Sequence, residues 1–95
     1  MFESCGYTID FQYFNYASNP LPVGHDALAK AGIECVLEDG DGNRYYGDSY
    51  CSVKDDFDQT YGEELALNRA MNSLGLDDNI KNELWNAYDT WVRGE

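Results

Sequence analysis

A β-hairpin in the middle of the chain decides the fold, and residues 33–53, IECVLEDGDGNRYYGDSYCSV, encode it. Between residues 33 and 38, acidic side chains interrupt the apolar ones with the two-residue period of a half-buried strand. Residues 39–43 then read DGDGN, and the Asp-Gly and Gly-Asn pairs supply the positive φ angles of a tight reversal. The chain therefore returns as a second arm from about residue 44 to residue 53.

The same turn resembles the start of a calcium-binding loop. With Asp39 as the first ligand, however, the sixth position holds Arg44 where the loop requires Gly, and the twelfth holds Tyr50 where it requires Glu. The acidic run at residues 55–58 has no accompanying ligand motif and is typical of a solvated helix entry. We expect no metal site and no cofactor.

One strand and one short helix are predicted before the hairpin. Residues 7–13 alternate apolar and polar side chains, which predicts the first strand of the sheet. The alternation changes phase at Phe14, and this predicts a bulge, or the end of the strand near Phe14. Residues 26–32, with an acid at the start and Gly32 at the end, predict a short helix between strands 1 and 2.

Two helices are predicted after the hairpin. Thr60 and Glu63 match a capping box at the start of the first, and Gly75 ends it. The second covers roughly residues 79–92 and carries a stripe of apolar and aromatic side chains. The predicted fold class is α+β: a three-stranded antiparallel sheet, two C-terminal helices on one face, and a short helix between strands 1 and 2. All of it fits a single small acidic domain, residues 1–95.

The composition is strongly acidic, with 18 Asp and Glu against 6 Lys and Arg and a formal net charge of −12. This charge repels phosphates, so it argues against direct binding to nucleic acid or to an anionic membrane. A basic protein partner is favoured instead. A disordered acidic tail is excluded, because 43% of the residues are hydrophobic and 15% are aromatic.

The remaining composition indicates a reducing compartment and no enzyme chemistry. Three cysteines, an odd number without a CxxC motif, favour free thiols in the cytoplasm, and neither a signal peptide nor a membrane span is visible. The single histidine, His25, is expected to be a surface or capping residue. We find no Ser/His/Asp or Cys/His spacing and no phosphate-binding glycine loop, so we expect that the protein is not an enzyme.

One face of the predicted sheet is left open to solvent, and it combines carboxylates with tyrosines. Tyrosine gives contact area at a low entropy cost, and carboxylates attract lysine and arginine. We expect this face to bind the partner together with the acidic run that follows the third strand. The predicted partner-binding residues are Glu34, Glu38, Tyr46, Asp48, Tyr50, Asp55, Asp56 and Asp58.

A longer pattern begins in the hairpin and runs from Tyr45 to Ala70: Tyr-x-Gly-x-x-x-Cys, then Phe57, then Gly-x-x-Leu-Ala-x-x-Arg-Ala. It resembles a family of small proteins of unassigned activity that bacteriophages and prophages encode. The resemblance implies a small α+β fold with a helix across a sheet, and a location in the cytoplasm of a bacterial host. In the same pattern, Gly47 and Ser49 are small enough for a helix to pack closely over them.

Phage origin and acidity together predict an inhibitor of a host nucleic-acid-handling defence complex, of the anti-CRISPR kind. Its carboxylates would occupy the basic surface that normally holds nucleic acid. The alternative is a structural or accessory phage protein without inhibitory activity. Such a protein would form a homodimer through the aromatic stripe, with Trp85, Tyr88 and Trp91 as the candidate self-association residues.

Overall fold

The computed structural model describes residues 1–24 and 27–94, which form an α+β fold with two helices and an antiparallel sheet of five strands. The predicted fold class is therefore confirmed, whereas two of its details are wrong. In chain order, the elements are β1 (Phe2–Ser4), β2 (Tyr7–Asn15), β3 (Leu21–Gly24), β4 (Ala27–Glu38), β5 (Arg44–Ser52), α1 (Gln59–Leu74) and α2 (Asp78–Arg93).

Strand β4 is the centre of the sheet. From Ala31 to Glu38 it pairs with β2 on one edge and with β5 on the other. Nearer its start, Ala29 pairs with both Leu21 of β3 and Ser52 of β5, so β3 lies on the same edge as β2. The short strand β1 pairs with the outer edge of β2. The two long neighbours leave β4 with a backbone that is paired along both edges.

The prediction of a short helix at residues 26–32 is wrong, because residues 27–32 are the first half of β4. A helix of about seven residues satisfies few of its own backbone groups and depends on packing for stability. In the sheet, the same backbone pairs with strands on both edges, and Ala29 is fully buried. Asp26, the predicted first residue of the helix, and His25 lie outside the described residues.

The predicted count of three strands is also wrong, since β1 and β3 add two short ones. β3 has the sequence LPVG, whose proline and glycine are typical of a loop. Of the two alternatives predicted near Phe14, the bulge does not occur, because β2 pairs with β4 in unbroken register from Thr8 to Asn15. The strand end is confirmed, since β2 ends at Asn15, one residue beyond Phe14. The phase change in the sequence reflects aromatic side chains on both faces of one continuous strand.

The hairpin between β4 and β5 is confirmed, and Asp39 organises its turn. The Asp39 carboxylate accepts the backbone N–H groups of Asp41 at 2.9 Å and Asn43 at 3.0 Å. Its hydrogen bond with the Asn43 side chain is the main reason that the pKa of Asp39 is lowered. Gly42 adopts a φ of 87°, as the tight reversal requires.

Helix α1 crosses β5 at very close range, as the small residues of the hairpin predict. A Cβ atom at Gly47 would lie 2.2 Å from both the Ala66 carbonyl oxygen and the Ala70 amide nitrogen. Nearby, the Ser49 hydroxyl donates to the Gly62 carbonyl at 2.7 Å. The core lies between the sheet and the helices and consists of Ile9, Phe11, Ile33, Cys35, Leu37, Ala66, Leu67, Ala70, Met71, Leu84 and Tyr88.

The N-terminus of α1 differs from the predicted capping box. Asp58 is the N-cap, and its carboxylate accepts the N–H of Tyr61 at 3.0 Å. Thr60 already lies inside the helix, and Glu63 is buried against the sheet. The predicted end of the helix at Gly75 is confirmed, with a φ of 71° that closes the last turn.

Helix α2 docks through an aromatic cluster that includes the N-terminal strand. The Phe2 ring of β1 lies 5.3 Å from the Trp91 ring and 6.3 Å from the Tyr88 ring, measured between centroids. Phe11 of β2 stacks on Trp91 at 5.5 Å. Among the described residues, no helix has the length and apolar character needed to cross a bilayer.

Candidate protein-interaction surface

The sheet face opposite the helices is the surface on which most of the predicted binding residues meet; we call it the open face. Side chains alternate along each strand, so residues that pair with each other across strands point to the same side. The neighbours of the open-face residues, such as Ile9, Cys35 and Leu37, are fully buried on the helix side. The open face has four cross-strand rows: Thr8–Glu38–Arg44, Asp10–Val36–Tyr46, Gln12–Glu34–Asp48 and Phe14–Gly32–Tyr50.

Two carboxylates of the open face stand directly opposite each other. Glu34 of β4 pairs with Asp48 of β5, and like charges in this position destabilise a sheet. The pKa of Glu34 is raised, first by partial burial and then by the neighbouring Asp48. Arg69 also reaches this strand, but its guanidinium donates to the Asp48 backbone carbonyl at 2.6 Å. The pair therefore presents concentrated negative charge.

Glu38 differs from this pair, because it already has a cation. The Arg44 guanidinium donates to its carboxylate at 3.0 Å across the strand, and this contact raises the pKa of Arg44. Both side chains are exposed, so the ion pair is worth little to stability. Its consequence for binding is that Glu38 offers less net charge than Glu34 and Asp48.

Aromatic rings surround Gly32 at the end of the open face. The Phe14 and Tyr16 rings stack with centroids 6.2 Å apart, and a Cβ atom at Gly32 would touch Tyr50 at 3.2 Å and Tyr16 at 3.4 Å. These rings border a hollow of about 130 Å³ that Glu34 and Asp48 also line. Tyr50 and Phe14 remain 45% and 40% exposed. The lone glycine thus leaves a depression with aromatic walls beside the acidic pair.

The acidic linker, residues 53–58 between β5 and α1, continues this surface around the edge of Tyr50. Asp55, Asp56 and Asp58 line a cleft of about 230 Å³ that Tyr50 lines as well. Asp58 is engaged as the N-cap of α1, whereas the side chains of Asp55 and Asp56 are exposed. Tyr50 therefore joins the open face to the cleft, and it brings the predicted residues of both into one region.

Sequence reasoning missed two aromatic residues of this region, Phe57 in the linker and Tyr61 in α1. They are 47% and 64% exposed, and both line the cleft. For Phe57, the signal was an isolated large apolar residue within an acidic run.

A buried carboxylate, Glu63, lies where β2, α1 and α2 meet. It is 3% exposed and accepts hydrogen bonds from the Tyr13 hydroxyl, from the Tyr88 hydroxyl at 3.0 Å and from the Gln59 amide at 3.3 Å. The pKa of both tyrosines is raised well above the usual value, mainly by burial and also by the Glu63 charge. From the sequence, Glu63 is a helix-capping acid, so its structural role in the core was not predicted.

The three candidate self-association residues contribute to the core of this chain. Tyr88 is 4% exposed and is bonded to Glu63. Trp85 and Trp91 are half-buried and pack against the core, with the Trp85 ring edge-on to Tyr88 at 6.0 Å. Tyr88 is therefore not free for contact with a second copy, whereas Trp85 and Trp91 keep part of their surface exposed.

The described residues contain no group of three or more His, Cys, Asp or Glu side chains placed to hold a metal ion. Burial raises the pKa of the Cys35 thiol to about 12, which makes this cysteine an unreactive core residue.

Comparison of the chain with protein-family models, curated proteins and solved structures gave no match. The resemblance noted for Tyr45–Ala70 therefore stays a prediction.

Proposed function

We propose that this chain is an acidic binding protein whose open face and acidic linker dock on a basic surface of a partner protein. The observation that carries the proposal is the opposed pair Glu34 and Asp48, bordered by Tyr46 and Tyr50. Two like charges side by side cost stability in the free protein. A guanidinium or ammonium group of a partner would relieve this repulsion, because it would neutralise both carboxylates at once.

The tyrosines supply the second part of the argument. Tyr46 and Tyr50 are 49% and 45% exposed on either side of the acidic pair. Their rings offer apolar contact area and can stack against an arginine side chain. Acidic groups between exposed rings favour a protein partner with arginine or lysine on its surface, and they disfavour a polyanion.

The most specific form of the proposal is inhibition of a nucleic-acid-handling complex. A surface that binds DNA or RNA carries clustered Arg and Lys side chains for the phosphates. The carboxylates of the open face would take the place of those phosphates and exclude the nucleic acid. In a bacterial host, the target would be a defence complex of the kind that anti-CRISPR proteins inhibit.

The test compares two variants of equal charge. Glu34→Gln/Asp48→Asn removes the opposed pair, and Asp41→Asn/Glu64→Gln removes two exposed carboxylates elsewhere, so both change the net charge by the same amount. Each protein is added in excess to purified nuclease effector complexes with labelled DNA, and DNA release is followed by gel shift. We expect the unaltered protein and the second variant to release DNA from a complex, and the first variant to have lost this effect.

Two results would count against the proposal. One is that no complex releases its nucleic acid at any protein concentration. The other is equal activity of the two variants, which would mean that only the overall charge matters.

Release by the unaltered protein should also weaken as salt shortens the Debye length from about 10 Å at 0.1 M to about 3 Å at 1 M.

A further inference from the structure

The cleft beside the acidic linker has features of a side-chain binding site that the open face does not share. It is bounded by the end of β5, the linker and the first turns of α1. We propose that this cleft receives one bulky apolar side chain of the partner, carried on a segment with lysine or arginine next to it. The inference rests on the proposed function for the basic character of that partner.

The walls of the cleft are mostly apolar. Ile33 and Leu65 line it from the sheet and from α1, and Phe57 and Tyr61 line it from the linker and from the first turn of α1. Both aromatic residues are exposed, Phe57 by 47% and Tyr61 by 64%. Aromatic side chains that are exposed to solvent around a concave surface are typical of a binding site.

The volume of the cleft suits a single side chain. It measures about 230 Å³, whereas an apolar cavity of about 150 Å³ is large enough to take a benzene molecule. A phenylalanine ring or a leucine side chain therefore fits, while a drug-sized ligand would need a larger site.

The buried polar atoms around the cleft already have hydrogen-bond partners within the chain, so they do not require a polar ligand. The Ser49 hydroxyl donates to the Gly62 carbonyl at 2.7 Å, and the Asp58 carboxylate caps α1. Among the described residues, every buried side-chain nitrogen and oxygen has a hydrogen-bond partner. An apolar group can enter without leaving any of these atoms unsatisfied.

The rim of the cleft determines the flanking charge. Asp55 and Asp56 lie on the linker beside Phe57, and their side chains are exposed. Lysine or arginine next to the inserted side chain would meet these carboxylates, whereas acidic neighbours would be repelled. The occupant is therefore an apolar anchor between basic residues.

The test uses three acetylated and amidated pentapeptides: Lys-Arg-Phe-Arg-Lys, Lys-Arg-Ser-Arg-Lys and Glu-Asp-Phe-Asp-Glu. Binding is followed by ¹⁵N–¹H chemical shifts of the full chain. We expect the first peptide to shift amides of the linker, the end of β5 and the start of α1. Exchange of Phe for Ser should weaken binding about tenfold or more, since it removes a buried ring, and the acidic peptide should not bind.

Cys51 provides an independent measurement, because its side chain lines the cleft. In a Cys5→Ser background, which removes the exposed thiol, alkylation by iodoacetamide reports on Cys51, since Cys35 is buried. The first peptide should slow this alkylation in proportion to occupancy. The Ser peptide should protect about tenfold less at the same concentration.

Matched variants show whether the cleft or the open face binds the peptide. Phe57→Ala removes a wall of the cleft, and Tyr46→Ala removes a ring of nearly equal exposure, 49% against 47%, from the open face. We expect Phe57→Ala to weaken the first peptide several-fold and Tyr46→Ala to leave it unchanged. Both side chains are about half exposed and lie outside the core cluster, so both variants should fold, as the dispersion of the same spectra will show.

The inference is overturned if the Phe and Ser peptides bind equally, if the shifts map to the open face, or if Tyr46→Ala and Phe57→Ala weaken binding alike. Failure of the proposed function is a separate outcome: the Phe peptide would still occupy the cleft, while the protein would release no nucleic acid from any complex.

Discussion

Substitution of Gly47 by alanine tests whether the close contact between α1 and β5 holds the interaction surface in place. The new Cβ atom would lie 2.2 Å from two backbone atoms of α1, whereas real Cβ contacts are essentially never shorter than 3.0 Å. The helix would therefore have to retract by about 0.8 Å or more. No side-chain rotation can relieve this clash, because both of the opposing atoms belong to the backbone.

The expected cost has two parts. Overpacking of a well-packed interface costs about 1–3 kcal/mol. The retraction would also stretch the bond between the Ser49 hydroxyl and the Gly62 carbonyl, now 2.7 Å, to the limit of a hydrogen bond, at a cost of about 1 kcal/mol. We expect a loss of about 2–4 kcal/mol from a total stability of roughly 5–14 kcal/mol for a chain of this length.

Urea unfolding followed by tryptophan fluorescence measures this loss. With a slope of about 1–1.5 kcal/mol per molar urea, the midpoint should fall by about 1.3–4 M. Gly40→Ala is the matched control, since a Cβ atom there would meet nothing within 4 Å, and it should change stability by less than about 0.5 kcal/mol. A Gly47→Ala protein as stable as the control would refute the reasoning.

Three further predictions concern the buried network and the aromatic cluster. Glu63→Ala should lower the free energy of unfolding in urea by about 3 kcal/mol, because both tyrosine hydroxyls lose their acceptor. Glu63→Gln keeps an acceptor oxygen and should lower it clearly less. Equal losses in the two variants would contradict a role for the hydrogen bonds. The pKa of Tyr13 and Tyr88 is raised above 10.0 in the folded chain, so their contribution is fully present below pH 10 and is lost as the pH rises further. Unfolding curves from pH 8 to pH 11 should show this decline, and a Tyr13→Phe/Tyr88→Phe variant should show less of it. Trp91→Ala should destabilise the monomer by about 2 kcal/mol, given its half-buried ring; a change in sedimentation without a change in stability would instead indicate a role in self-association.

The parts of the fold that were predictable depend on local chemistry. The β4–β5 hairpin is confirmed because its turn residues act within a few positions of one another, as the Asp39 carboxylate does with Asn43. The end of α1 at Gly75 was predictable for the same reason, since a left-handed residue is the usual end of a helix. The alternation of β5 also placed Tyr46, Asp48 and Tyr50 on one face before the partner strand was known.

The errors arise where distant residues decide the outcome. Residues 27–32 have a composition typical of a helix, but they form part of β4 because their backbone pairs with strands on both edges. The sequence position of Glu63 is that of a first-turn acid. Its burial is possible only because the hydroxyls of Tyr13 and Tyr88, which are distant in sequence, donate hydrogen bonds to its carboxylate. The cleft was also unpredictable, because its lining comes from β4, β5, the linker and α1.

By itself, the sequence determines that this chain is acidic, folded and built around a hairpin, because charge, composition and turn chemistry act locally. It also determines which side chains of β5 share a face, since strand geometry alternates every residue. The turn at residues 39–43 also sets the hairpin register that places Glu34 opposite Asp48 and Arg44 opposite Glu38, because turn type and loop length fix the register of a hairpin. Only the tertiary structure decides that Glu63 is buried and that Phe57 and Tyr50 border a common cleft. Those relations depend on how β2 and the helices approach the hairpin, α1 over Gly47 above all. This approach is set by the packing of the whole core, and no local segment encodes it.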